Sequence, residues 1–315
     1  MFDLQRLRAL HAVRQHGSVA AAAEALGFTP SAVSQQIGKL EREVRSPLLE
    51  KAGRGVILTD AGLVLADATD SILTTTEQAS ADLEELRSGV AGTLRVLCFP
   101  TAIRGLVGPA LGELRRTAPD LTVLLEETWI RTTERIEAGH ADLAIAHDWV
   151  DSPIDLPAHL SQAPLMEDPV DVLLPAEHPL AGRDDVLIDD LLDAPWIIDT
   201  NDGSICSQWL RSQMAARGRT PDIVHRVDEY PSQIAVVAAG LGVSTLPRLG
   251  RPDLPSTVRT VPLRGDRPVR RVFTVCRRAS SRRPAIRTLI DALRARADHR
   301  RVGAWRARAA HPPPS

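Results

Sequence analysis

Residues 17–41, Gly-Ser-Val-Ala-Ala-Ala-Ala-Glu-Ala-Leu-Gly-Phe-Thr-Pro-Ser-Ala-Val-Ser-Gln-Gln-Ile-Gly-Lys-Leu-Glu, restrict what this chain can fold into more than any other stretch. Ser18 is a good N-cap for a short Ala-rich helix, and Gly27 is a good left-handed residue to end it. Thr29 then caps a second helix with Pro30 at its first position, where the missing N–H costs nothing. In that helix Val33, Ile37, Leu40 and Val44 recur at i, i+4, i+7 and i+11, a single apolar stripe. The opposite face carries Ser31, Gln35, Gly38, Lys39 and Arg42. Small hydrogen-bonding groups and basic side chains suit a helix laid against base edges and phosphates. The pattern is that of a helix-turn-helix, although periodicity alone equally allows an αα-hairpin within a helical core.

The flanks narrow the choice. Leu4, Leu7, Leu10 and Val13 place another amphipathic helix before the pair. Ser46-Pro47 ends the second helix, and strand-like runs at 48–51 and 56–58 enclose Ala52-Gly53-Arg54-Gly55, a hairpin with a basic tip that reads as a wing. Arg54 between two glycines can approach a DNA backbone or enter a narrow minor groove; taken singly, it is as well explained by solvation. Thr59 then caps a long helix whose Asp60 suits the positive end of the helix dipole.

Leu-Arg-Ala-Leu-His-Ala-Val-Arg-Gln-His-Gly-Ser, Ala-Ala-Glu-Ala-Leu, Ser-Ala-Val-Ser-Gln-Gln-Ile, Leu-Glu-Arg-Glu-Val, Pro-Leu-Leu-Glu-Lys, Gly-Arg-Gly-Val and Leu-Thr-Asp-Ala-Gly follow one another in this order. In sequence and spacing the chain resembles LysR-type transcriptional regulators, without a gap over 4–62 and more loosely to about 296. It departs at Pro30, where the family often has Gln, and at Leu49, where it often has Phe. The first departure removes a polar DNA contact and moves that weight to Ser31, Ser34 and Gln35. The resemblance implies a winged helix-turn-helix at 1–59, a linker and dimerisation helix at 60–90, and an α/β effector-binding domain at 91–297. That domain would hold two subdomains like those of periplasmic binding proteins, 91–164 with 278–297 and 165–277, with crossovers near 163–165 and 274–279.

In such a protein Ser31, Ala32, Ser34 and Gln35 meet the major groove, with Ala32 placed for a thymine methyl, while Lys39 and Arg42 meet phosphates and Arg54 the minor groove or backbone. The implied partners are double-stranded operator DNA, a small anionic or amino-acid-like effector, RNA polymerase, and further copies of the chain in a homodimer or homotetramer. No cofactor, metal, membrane partner or catalytic activity is expected, and the implied location is the cytoplasm, at the nucleoid.

Composition fits. No apolar run reaches transmembrane length, and the first residues lack the apolar core of a signal peptide. Cys98, Cys206 and Cys276 are far apart, with no CxxC, which argues for reduced thiols and against structural zinc. Cys206 falls about where peroxide-sensing relatives carry a reactive thiol, but no second cysteine follows within a loop's reach, which argues against a disulfide switch. Lys39 and Lys51 are the only lysines, so no Schiff-base lysine exists beyond residue 60. The net charge of −2 conceals an asymmetry, because fifteen Arg face three acids from Arg264 onward. Residues 298–315, with Arg300, Arg301, Arg306, Arg308 and three consecutive prolines, read as a disordered tail.

Between 60 and 88, Leu65, Ile72, Ala79 and Leu86 stand seven apart and Thr69, Thr76 and Leu83 interleave them, a weak coiled-coil seam. A helix packed on its own chain would show the same pattern. From Thr93 short apolar runs alternate with helices, which predicts parallel sheets covered on both faces. A ligand in such a fold sits at the carboxyl ends of strands, beside helix N-termini. Those ends carry Thr101 and Ala102, Thr128 and Trp129, Thr200 and Ser204, and Tyr230 and Pro231, with Arg104 and Arg131 as nearby charges. Thr101 and Ser204 are the best hydroxyls for an anionic group. Two other functions compete: an architectural DNA-binding protein with an empty effector domain, and a solute-binding protein, which the helix-turn-helix opposes.

Overall fold

The structure is a computed structural model that describes residues 2–52, 55–85, 90–128, 132–150, 152–200, 205–265 and 268–309. It opens with three helices, α1 (Leu4–His16), α2 (Val19–Leu26) and α3 (Pro30–Val44). Side-chain oxygens of Asp3, Ser18 and Thr29 cap them, and Gly17 and Gly27 close the first two in left-handed conformations. Val33 and Ile37 pack on Ala9, Val13, Ala22 and Ala23, so the stripe read from the sequence is the face that builds the core. Strands β1 (Leu49–Ala52) and β2 (Gly55–Leu58) pair antiparallel as the wing. Glu41 of α3 ties them to the helix by accepting from the backbone N–H groups of Leu48 at 2.8 Å and Leu49 at 3.3 Å.

Helix α4 (Asp60–Glu85) leaves the wing at Thr59, whose hydroxyl donates to the Pro47 carbonyl at 2.7 Å. A Cβ at Gly62 would collide with the Leu48 carbonyl, so α4 starts this close to the wing only because that residue is glycine. The first half of α4 belongs to the core of the head. Leu65 joins Leu7, Leu10, Leu40 and Leu48, Ile72 packs against that group, and Thr69 is fully buried with its hydroxyl on the Leu65 carbonyl. Those seam positions therefore serve the chain's own core, which corrects their reading as an intermolecular seam. Leu63, Val64 and Leu83 are the large apolar residues that α4 exposes, and Leu86 lies outside the described residues.

The remainder is two α/β subdomains. Strand β3 (Gly92–Cys98) leads into a continuous helical segment made of α5 (Pro100–Ala102), a widened π-turn (Ile103–Val107) and α6 (Gly108–Thr117). Then come β4 (Leu121–Glu127), α7 (Thr132–Glu137), β5 (Leu143–Trp149) and the long strand β6 (Leu160–Pro175). The second subdomain adds β7 (Pro195–Ile198), α8 (Ile205–Ala215), β8 (Asp222–Arg226), α9 (Tyr230–Ala238), β9 (Ser244–Pro247) and β10 (Val258–Pro262). Strand β11 (Val269–Arg277) and helix α10 (Pro284–Ala309) return to the first.

The first sheet runs β4-β3-β5-β11-β6; β3 is parallel to both its neighbours, and β11 is antiparallel to β5 and β6. Strand β6 pairs with β11 through Pro169 and with β9 and β10 from Val170 onward, so one strand serves both sheets. Three expectations change here. The sheets are mixed, because the strands that cross between subdomains run against their neighbours. The first crossing falls at 169/170 and the second just before Val269, not at 163–165 and 274–279. Asp168-Pro169 stands at the first of these points, and β6 runs through it without a break. Finally, α10 continues to Ala309 instead of giving way to a tail at 298, in keeping with its Ala and Arg content, both good helix formers; residues 310–315 lie outside the described residues. Arg283, just before α10, ties the effector domain to the linker by pairing with Glu84 at 3.0 Å and Asp142 at 2.9 Å.

Candidate functional site

The first site is the outer face of α3. Ser31, Ser34, Gln35, Lys39 and Arg42 are exposed there and Ala32 is half-buried, all within three turns of one helix. The geometry is local: once Val33, Ile37 and Leu40 are buried, the 3.6-residue repeat presents the polar positions outward. Arg42 turns part of its guanidinium back, its Nε donating to the Gly38 carbonyl at 3.2 Å. Arg54 of the wing lies outside the described residues.

The second site is a cleft of about 500 Å³ between the subdomains, at the carboxyl ends of β3, β4 and β5 and the N-terminal end of α9. Thr101, Thr128, Tyr230 and Pro231 line it. Ala102 does not; it is fully buried in the apolar core of the first subdomain. Thr200 is held at the edge, where its N–H and hydroxyl both donate to Asp228 at 2.7 Å. Trp129, Arg131 and Ser204 lie outside the described residues.

The centre of the cleft is a group that sequence reasoning missed. Arg270 of β11 is 2% exposed, and its Nε and Nη2 donate to Asp168 of β6 at 3.1 and 2.5 Å. Nη2 also donates to the Thr101 hydroxyl at 3.0 Å, and the guanidinium carbon stands 5.3 Å from the Phe99 ring centroid. Burial alone would lower the Arg270 pKa, but the Asp168 carboxylate together with Tyr230 and Cys206 outweighs it and the guanidinium stays charged. Asp168 also accepts the Leu249 N–H at 2.7 Å, and Arg104 Nε donates to the Gly250 carbonyl at 3.0 Å. Gly250 has φ +65°, and a Cβ there would collide with the Thr101 carbonyl. The two crossing strands, helix α5 and the loop after β9 are thus joined at one buried ion pair. The sequence carried no distinct signal for this pair, because Asp168 stands beside Glu167 and near Asp171 in β6, and Arg270 beside Arg271 in β11.

Around this centre lie His147, Cys206 and Tyr230. Burial holds His147 neutral, lowering its pKa from 6.5 to about 3, and its Nδ1 has no hydrogen-bond partner. Burial pushes the thiol of Cys206 and the phenol of Tyr230 up, and Sγ and the phenol oxygen stand 3.8 Å apart. A thiol kept protonated is a poor nucleophile. Among the described residues no group of His, Cys, Asp and Glu could hold a metal ion, and no helix is long and apolar enough to cross a membrane.

Comparison with known proteins now identifies the family. Residues 4–63 match the model for bacterial regulatory helix-turn-helix proteins of the lysR family, and residues 87–298 match the LysR substrate binding domain. This chain is a LysR-family transcriptional regulator. An uncharacterized HTH-type transcriptional regulator of Escherichia coli K12, YnfL, is 30% identical over 93% of this chain and 99% of its own length. A full-length OxyR variant from Pseudomonas aeruginosa shares the fold with TM-score 0.66 at 23% identity, covering 93% of this chain and 95% of that one. Full-length BenM does so with TM-score 0.59 at 23% identity, covering 95% and 98%. LysR-family regulators bind operator DNA and small-molecule effectors and work as oligomers, and those kinds of partner hold for this chain.

Proposed function

We propose that the LysR-family chain reads its operator through Ser31, Ala32, Ser34 and Gln35 in the major groove. In this reading Lys39 and Arg42 contact phosphates and Arg54 the minor groove or backbone. The observation that carries it is the exposed polar face of α3, held outward by three caps and a buried stripe. The effector is a small anionic or amino-acid-like molecule bound in the cleft against Thr101, Thr128, Tyr230 and Pro231, with Trp129 and Ser204 as further contacts. The head occupies 1–59, the linker 60–90 and the effector domain 91–297. Because Asp168 and Arg270 sit on the two strands that cross between subdomains, a ligand touching their cluster would bias the relative pose of the subdomains. Through the linker that bias reaches the spacing of DNA-binding heads in a dimer or tetramer at the nucleoid, and RNA polymerase contact follows from it.

The test is selection of bound sequences from a random duplex pool by the full-length protein. A defined motif, preferred less by the Gln35→Ala protein, supports the assignment; the same motif preference in both proteins removes Gln35 from the readout.

A further inference from the structure

The cleft is charged in an unexpected sense. Of the two hydroxyls that the sequence offered for an anion, Thr101 is already in use and Ser204 lies outside the described residues. The Thr101 hydroxyl accepts from Arg270, whose own charge is matched by Asp168, and Asp228 takes the Thr200 donors. At the start of α9 stands Glu229, whose carboxylate makes no cap hydrogen bond. The described lining carries Glu127, Glu134, Asp199, Asp228 and Glu229 against Arg104 and Arg270 alone. Depth separates the signs. Arg270 is buried at the centre, with Nη1 making no bond to any described residue, whereas Glu127, Glu134, Asp228 and Glu229 are exposed. His147 Nδ1 adds an unpartnered nitrogen on the same wall.

A purely anionic ligand would bring its charge past these carboxylates, and like charges at close range in a concave site repel more strongly than in open water. We propose that the effector carries an ammonium group, held at the rim by Glu127, Glu134 and Glu229, and a hydrogen-bond acceptor that reaches Arg270 Nη1 within. Of the two classes considered for this cleft, the amino-acid-like one satisfies both ends and the simple anion satisfies one. This assignment rests on the cleft being the effector site and adds the sign and order of charge along the ligand.

The experiment is thermal unfolding of the full-length protein at low salt, where rim charges are least screened. The probes are putrescine, 4-aminobutanoate and succinate, with their homologues one and two methylenes longer. Within each length both ends are charged, and the three differ in the sign of the charge at each end. The aminocarboxylates should raise the unfolding midpoint most and the dicarboxylates not at all. Combined Glu127→Gln, Glu134→Gln and Glu229→Gln substitutions should weaken aminocarboxylate binding about tenfold or more, measured by calorimetric titration. Stabilisation by dicarboxylates alone overturns the charge assignment and leaves the cleft reading standing. Aminocarboxylate binding that is unchanged in the triple variant also overturns it, and no shift with any probe removes both readings.

Discussion

The two functional regions are built in opposite ways. The proposed DNA-reading face lies within one helix, and every residue on it is placed by neighbours three or four positions away and by caps at Thr29 and Arg45. The proposed effector cleft has at its centre Thr101, Asp168 and Arg270, which meet across 169 and 102 residues of sequence. In the head, folding the helix is almost the same event as forming the site. In the cleft, nothing is in place until both crossing strands are paired and the loop at Gly250 has closed on Thr101. A local site tolerates substitution without loss of fold, whereas a non-local site is part of the core that holds its domain together.

That contrast can be broken most directly at Arg270. Arg270→Met leaves Asp168 buried without its partner, and the effector domain should lose about 3–5 kcal/mol, read by denaturant unfolding of the full-length protein. Arg270→Met combined with Asp168→Leu should recover most of it. A single variant as stable as the parent would mean that the cleft centre is not structural.

Thr101→Val sharpens the same point at smaller scale. The two side chains are nearly the same size, which suggests on sequence grounds that the fold would not notice. The structure predicts otherwise, because a buried Arg270 N–H loses its acceptor, at a cost of about 1–3 kcal/mol. Its effector affinity should also fall, and calorimetry with a stabilising probe separates the two effects.

The head should behave in the reverse manner. Gln35→Ala should lower discrimination between operator and altered sites by about 1–3 kcal/mol while the unfolding midpoint stays put. Lys39→Ala should weaken binding to all duplexes alike and flatten the salt dependence by about one unit of slope. If either variant unfolds earlier than the parent, the head is no more independent of its site than the cleft is.

A further effect is expected in acid. His147 is neutral in the folded protein, with a pKa of about 3 against 6.5 when unfolded. The unfolded chain therefore takes up a proton that the folded one refuses, and stability falls as the pH drops from 6.5 towards 3. His147→Phe should flatten that decline, and equal slopes in both proteins would show that the ring is not the group responsible.

The sequence by itself determined the head. Ser18, Gly27, Thr29 and Pro30 set the helix ends, and the stripe from Val33 to Leu40 set which face turned outward, because caps and periodicity act over a few residues. It also placed the cleft near Thr101, Thr128 and Tyr230, since strand ends are marked by turn residues. It did not show that the start of the linker seam would be buried at Leu65 and Thr69 in the head's own core, or that β6 would pass from one sheet to the other at Val170 without a break. Nor did it show that Arg270 and Asp168 would meet. A charged residue in a strand looks the same in sequence whether it faces water or a partner a hundred residues away, and only the pairing of β6 with β11 decides which.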